Sequence, residues 1–155
     1  MGKEAFKMSV EFKKILVAFD ESEPAKRAFE YAKSLADKYG SHITLLQVLI
    51  PVTDYLIPDA FVLRDFVDGQ IEIEEKLRKE LESKILQSDY ARKNAIDVIV
   101  MRDTPKNCIV DFAKNNGIDL IVMGATGKHG VQKVFIGSTT SYVMSRATCN
   151  VLMIK

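Results

Sequence analysis

Glycine and hydroxyl residues follow an apolar run near the carboxyl end of the sequence, in the pattern G-x2-G-x9-G-S-T. Glycine lets the backbone approach an anion closely, and the unpaired N–H groups at the start of a following helix point toward it. Glycines after a strand are also common as turn residues, so the first two alone would leave both interpretations open. Together with the hydroxyls, the pattern favours a phosphate-binding loop formed by Gly124, Gly127, Gly137, Ser138 and Thr139.

The charge distribution also favours an anion at this loop. Residues 120–155 contain no Asp or Glu, whereas Lys128, Lys133, Arg146 and Lys155 contribute four positive charges. Since the net charge of the whole chain is +1, subtracting these four leaves −3 on residues 1–119. A cationic segment lowers the cost of collecting phosphate charge locally. The near-neutral total argues against a protein that binds nucleic acid through a global basic field.

One acidic residue, Asp20, follows the first apolar run at residues 15–19 directly. In a doubly wound sheet the first strand lies centrally and ligands bind where the strand order reverses, so we expect Asp20 and Gly124 to flank one crevice. A carboxylate there can accept hydrogen bonds from a ribose or an amino group. The alternative is a capping role at the start of the next helix, for which Ser22 is the better candidate.

Alternating strands and helices are needed to position these residues. Continuous apolar runs are typical of strands buried on both faces, and between them apolar residues recur at helical spacing. The sequence therefore predicts an α/β fold, a doubly wound five-stranded parallel sheet with helices on both faces. Strands are predicted near residues 14–19, 43–50, 96–101, 120–123 and 151–154, and helices at 25–39, 73–85, about 105–115 and after Gly137.

The chain of 155 residues is predicted to be a single domain, with residues 1–11 as an N-terminal extension and 51–69 as an irregular excursion. Its apolar runs are too short to span a membrane and it lacks the apolar block of a secretory signal. Cys108 and Cys149 have no metal-binding spacing, which predicts inert thiols. We therefore expect a cytoplasmic protein without nucleic acid or membrane partners.

The sequence resembles the universal stress protein family, and in particular its ATP-binding branch. The resemblance covers about residues 12–155 and rests on residues 14–22, on residues 119–124 and on the glycine pattern. It implies a Rossmann-like five-stranded parallel sheet in the order 3-2-1-4-5.

The resemblance also implies roles for individual residues. Asp20 would contact the adenosine moiety, and the backbone at Val48 would lie against the adenine. Gly124 and Gly127 would line the ribose and phosphates. The phosphate tail, often with a divalent cation such as Mg²⁺ or Mn²⁺, would be held by Gly137, Ser138 and Thr139.

A homodimer is the expected assembly. In the order 3-2-1-4-5 the last strand is an apolar edge, which is a liability unless it is paired or covered. Members of the family commonly pair through this strand, so we predict a two-fold dimer through Val151, Leu152, Met153 and Ile154.

The predicted function is that of an ATP-binding sensor or regulator whose state is recognised by an unidentified downstream protein. The first alternative is an enzyme that slowly hydrolyses ATP or transfers an adenylyl group in the same crevice, assisted by Asp20 or His129. The loop lacks the Lys-Ser/Thr ending of a Walker P-loop, and no second-substrate motif is present. The second alternative is a dimerising partner protein that has lost nucleotide binding.

Overall fold

The computed structural model describes residues 11–51, 60–88, 90, 94–127 and 136–155. Strands and helices alternate along these residues, as the sequence predicts. The elements are β1 Lys14–Ala18, α1 Glu23–Tyr39, β2 His42–Leu49, α2 Ala60–Leu86, β3 Ile96–Arg102, α3 Pro105–Asn115, β4 Leu120–Gly124, α4 Ser138–Arg146 and β5 Asn150–Ile154. No helix within the described residues is both long and apolar enough to cross a membrane.

The five strands form one parallel sheet in the order β3-β2-β1-β4-β5, which confirms the predicted fold class and strand order. The central strand is β1, in which Ile15 pairs with Ile43 of β2 on one side and with Leu120 of β4 on the other. The chain moves outward from β1 to β2 and β3, and then returns to β4 on the opposite side. The strand order therefore reverses between β1 and β4, where parallel sheets of this kind bind ligands.

Both faces of the sheet are covered, because successive side chains of a strand point to opposite faces. Ile15 and Val17 pack against α1 and α2, whereas Leu16 packs against α3 and α4. All three side chains are fully buried. This burial explains why the strands appear in the sequence as continuous apolar runs.

Helix α1 begins and ends where its sequence signals predict. The Ser22 hydroxyl accepts a hydrogen bond from the Ala25 N–H at 3.3 Å, and Pro24 occupies the first turn. Gly40 ends the helix at φ 67°, a left-handed conformation that glycine adopts without a steric penalty. These caps fix the length of α1 and hence the position of the loop that joins it to β1.

The predicted irregular excursion at residues 51–69 is wrong for its second part. Helix α2 begins at Ala60, so residues 60–69 are helical, while residues 52–59 lie outside the described residues. Gly69 lies inside α2, where glycine costs about 1 kcal/mol relative to alanine and does not by itself end a helix. Leu81 and Ile85 of α2 are buried against the sheet, and Glu74 is paired with Arg102 at the carboxyl end of β3.

Candidate functional site

A cavity of about 670 Å³ opens at the carboxyl ends of β1, β2 and β4, beside the first turns of α3 and α4. This volume is typical of small-molecule sites. All the residues named from the sequence line it: Asp20, Val48, Gly124, Gly127, Gly137, Ser138 and Thr139. The fold thus brings together positions that are far apart in the chain, while their roles toward a ligand stay predictions.

The loop between β1 and α1 holds Asp20 at the cavity. Its Oδ1 accepts a hydrogen bond from the Ser22 N–H at 3.0 Å, which is the local turn that Asp side chains favour. Between them, Glu21 has φ 64°, an uncommon conformation for a residue other than glycine. Asp20 therefore stabilises the turn of its own loop, and the residue that caps α1 is Ser22 and not Asp20.

Gly127 lies directly against the Asp20 carboxylate. A Cβ placed on Gly127 would be 2.8 Å from Asp20 Oδ2, which is closer than a side chain tolerates. The missing side chain therefore leaves room for this carboxylate in the cavity wall. Because the contact is with the end of a side chain, a larger residue at position 127 would displace the carboxylate.

Gly124 is required for the packing of α1 on β4. A Cβ on Gly124 would lie 2.6 Å from Pro24 Cβ and 2.9 Å from the Pro24 carbonyl carbon. The space that this glycine leaves is filled by the first turn of α1, so packing requires glycine here. Gly124 still lines the cavity through its backbone.

Backbone hydrogen bonds close the two ends of the loop after β4. The Ala125 N–H donates to the Ile154 carbonyl at 2.7 Å, and the Gly137 N–H donates to the Ala125 carbonyl at 2.7 Å. The buried Thr140 hydroxyl also donates to the Gly124 carbonyl at 2.9 Å. The Gly137 N–H is thus used to close the loop, and the predicted role of Gly137 toward a phosphate stays a prediction.

The first turn of α4 also lies at the cavity and offers hydrogen-bond donors there. Gly137 is the N-cap residue, and no side chain in the described part of the chain caps the helix. The first N–H groups of a helix lack intrahelical partners, and the helix dipole adds positive potential there. Ser138 and Thr139, which belong to this turn, line the cavity. Lys128, His129 and Lys133 lie outside the described residues.

The opposite wall is formed by the end of β2, whose backbone is held by β3. The Asp103 N–H donates to the Leu49 carbonyl at 3.0 Å, and Arg102 Nη1 donates to the Ile50 carbonyl at 3.3 Å. Arg102 Nε is also 2.8 Å from Glu74 Oε1 of α2. These contacts fix the backbone around Val48, which is the position predicted to lie against the adenine.

The sequence patterns did not identify two polar residues that line the cavity, Gln47 and Thr140. Thr140, the third hydroxyl of the run at 138–140, is 3% exposed and ties α4 to β4. Gln47 is 7% exposed, and its Oε1 has no hydrogen-bond partner among the described residues. The signal for Gln47 was a single amide inside the apolar run of β2.

Ionisable groups are sparse in the cavity wall. Asp20 is the one ionisable side chain among the described residues that line it.

Cys108 of α3 is buried, and this burial, followed by the charges of Asp103 and Asp111, raises the pKa of its thiol. Burial also raises the pKa of the Cys149 thiol, so both cysteines are protonated at neutral pH.

Comparison with known protein families matches residues 11–155 to the universal stress protein family. The chain belongs to this family. A universal stress protein from Thermus aquaticus, named for the 3′ region of the QAH/OAS sulfhydrylase, is 32% identical. The alignment is 152 positions long and covers 93% of this chain and 99% of the relative. The solved structure of UspA from Lactobacillus plantarum is 31% identical and superposes with a TM-score of 0.79, covering 95% of this universal stress protein and 100% of UspA.

Two more distant structures of the family share the fold and contain nucleotides. A universal stress protein in complex with cAMP is 19% identical, with a TM-score of 0.64, over 94% of this chain and 99% of that one. A family member from Arabidopsis thaliana with AMP bound is 22% identical, with a TM-score of 0.57, over 92% and 91%. At this identity the two likenesses show the fold of the present universal stress protein and not its ligand.

Proposed function

We propose that this universal stress protein binds ATP in the cavity and acts as a nucleotide-dependent sensor or regulator. The observation that carries the proposal is the position of Gly127 against Asp20 Oδ2, in the same cavity wall as the first turn of α4. The carboxylate of Asp20 thus comes to the cavity from the loop after β1, and N–H donors come from the start of α4. A nucleotide has the complementary arrangement, with a ribose and base at one end and phosphates at the other.

The adenosine would occupy the end formed by β1 and β2. Asp20 accepts hydrogen bonds from ribose hydroxyls or an amino group, and the backbone at Val48 lies against the base. Arg102 and Asp103 hold this backbone in place through the Ile50 and Leu49 carbonyls. The family members crystallised with cAMP and AMP support an adenine nucleotide as the ligand class.

The phosphates would occupy the end formed by the β4 loop and α4. The backbone at Gly124 and Gly127 lines the path, and the first turn of α4 at Ser138 and Thr139 donates to phosphate oxygens. A bound Mg²⁺ or Mn²⁺ would be held through the phosphates. Within the described residues no group of three or more His, Cys, Asp or Glu side chains is arranged to hold a metal ion.

A homodimer through β5 is part of the proposal. Asn150 N–H and the Ile154 carbonyl both point toward β4 and its loop, so by strand alternation the backbone groups of Val151 and Met153 point to the free edge. These edge groups and the half-buried side chains beside them are available to a second copy. Pairing two such edges would extend the sheet across the dimer axis.

Binding is favoured over turnover by the chemistry of the cavity wall. A hydrolase or adenylyl transferase in this crevice needs a nucleophile with a base to activate it. The described part of the wall contributes Asp20 as its ionisable group and hydroxyls from α4, and Asp20 Oδ1 is engaged by the Ser22 N–H. A regulator requires instead that ATP has different affinities for two conformations, which a binding site alone can provide.

Calorimetric titration with ATP, AMP and GTP, with and without Mg²⁺, tests the proposal. Wild-type protein should bind ATP, and Asp20→Ala should weaken ATP and AMP binding alike, by about tenfold, because the lost contact is to the shared adenosine. Asp37→Ala, an exposed carboxylate of α1, is the matched control. Absence of ATP binding by the wild type, or equal binding by wild type and Asp20→Ala, would refute the assignment.

A further inference from the structure

A pair of cations meets one aromatic ring on the surface where α3 and α4 pack together. Lys106 Nζ lies 5.2 Å from the centre of the Tyr142 ring, and Arg146 Cζ lies 5.9 Å from the same centre. Lys106 and Arg146 form no ion pair with any described residue. We call Lys106 and Arg146, which share the Tyr142 ring, the cation pair.

Lys106 and Tyr142 do not line the cavity themselves, but each is close in the chain to a residue that does. Lys106 directly follows Pro105, which lines the cavity, and Tyr142 is four residues after Ser138, which also lines it. Residues four apart lie on one face of a helix, so Ser138 and Tyr142 share a face of α4 and are about one 5.4 Å turn apart. Through its contact with the Tyr142 ring, Lys106 is therefore held about one helical turn from the first donors of α4.

Carboxylates near Lys106 come from α3 and the loop before it, Asp111 and Asp103, and none comes from α4. Helix α4 and the rest of residues 120–155 contain no Asp or Glu. The acidic residue nearest to Lys106 toward the N-terminus is Asp103, whose Oδ1 accepts the Thr104 N–H at 2.6 Å. Two cations brought to one ring repel each other, and an anion placed between them and the helix start would relieve that repulsion.

We propose that Lys106, held on the Tyr142 ring, makes the site prefer nucleoside triphosphates to monophosphates. This inference rests on the proposed nucleotide-binding function and adds a specificity-determining residue to it. A monophosphate would end at the first turn of α4, and additional phosphates would extend the ligand toward Lys106. Tyr142 keeps Lys106 on this face by a cation–π contact, which limits the directions in which its flexible side chain points.

The test compares ATP, ADP and AMP binding by calorimetry at low salt. Lys106→Met should weaken ATP binding about two- to fivefold and leave AMP binding unchanged, which is the range expected for an exposed charge pair. Lys114→Met, which removes an exposed lysine from the other end of α3, should change neither affinity. The loss for ATP should shrink at high salt, because exposed charges are screened.

Substitutions of Tyr142 provide a second and independent test of this inference. Tyr142→Phe keeps the ring and should retain the wild-type ratio of ATP to AMP affinity, whereas Tyr142→Leu should reduce that ratio. If wild-type protein binds ATP but Lys106→Met has the same ratio of ATP to AMP affinity as wild type, this inference is wrong and the proposed function stands. Wild-type protein that binds neither nucleotide would overturn the proposed function itself.

Discussion

Gly127 and Asp20 are neighbours in the cavity wall, where a Cβ on Gly127 would lie 2.8 Å from Asp20 Oδ2. In Gly127→Ala the carboxylate must move away, since the end of a short side chain yields more easily than backbone. We expect ATP affinity to fall about tenfold, while the free energy of unfolding changes by less than about 1 kcal/mol. Calorimetric titration and urea unfolding measure the two quantities.

Gly69→Ala is the matched control for this substitution. Nothing lies within 4 Å of a Cβ built on Gly69, and the residue is inside α2. This variant should be more stable than wild type by about 0.5–1 kcal/mol and should bind ATP normally. Normal ATP binding by Gly127→Ala would show that the contact with Asp20 does not shape the ligand site.

Gly124→Ala should show the opposite behaviour and act on stability. The added methyl group would meet Pro24 at 2.6 Å and its carbonyl carbon at 2.9 Å, and α1 cannot move without disturbing its packing on the sheet. Overpacking of this kind typically costs about 1–3 kcal/mol. Urea unfolding of Gly124→Ala beside Gly127→Ala measures the difference; equal stability of the two variants would contradict this account.

The buried amide of Gln47 predicts an unusual stabilising substitution. Its Oε1 is buried without a hydrogen-bond partner in the described part of the chain, and such a group costs about 1–3 kcal/mol. Gln47→Met removes the amide at similar volume and should raise the free energy of unfolding by about 1 kcal/mol. Gln47→Glu should lower it, because a charge would be buried instead. A loss of stability in Gln47→Met would mean that the oxygen is satisfied in solution.

The free edge of β5 predicts how the dimer can be separated. Met153→Pro removes an N–H that points away from β4, so the sheet should remain intact while pairing with a second copy is lost. Leu152→Pro removes an N–H that points toward β4 and should instead destabilise the fold. Light scattering at micromolar concentration should show a dimer for wild type and a monomer for Met153→Pro. A monomeric wild type would rule out this interface.

The two cysteines predict a pH dependence. Burial raises the pKa of the Cys108 and Cys149 thiols above their usual value of 9.0. A raised pKa in the folded state means that folding favours the protonated thiol, so this contribution to stability is complete below pH 9 and is lost as the pH rises above it. At pH 8, iodoacetamide should alkylate the folded protein much more slowly than the protein in urea, as measured by mass spectrometry. Equal rates would contradict the burial of the thiols.

The class of fold and several residues that line the cavity were predictable because both depend on patterns that are local in the chain. Burial of each strand on two faces requires an uninterrupted apolar run, as in β1, and the ends of α1 carry their own signals in Ser22 and Gly40. The glycine and hydroxyl pattern after β4 marks the loop for the same reason. The start of α2 was not predictable, because Pro58 and Gly69 suggest a loop while the packing of the helix on β3 maintains it.

Only the tertiary structure decided what each of the glycines does. Their spacing is the same whether glycine is needed for a ligand or for packing, and the difference depends on neighbours that are remote in the chain. Pro24 fills the space beside Gly124, and Asp20 lies beside Gly127. The Ala125 carbonyl accepts a hydrogen bond from the Gly137 N–H. The meeting of Lys106 with Tyr142 is of the same kind. Folding creates these contacts between distant segments, and no local pattern of residues encodes them.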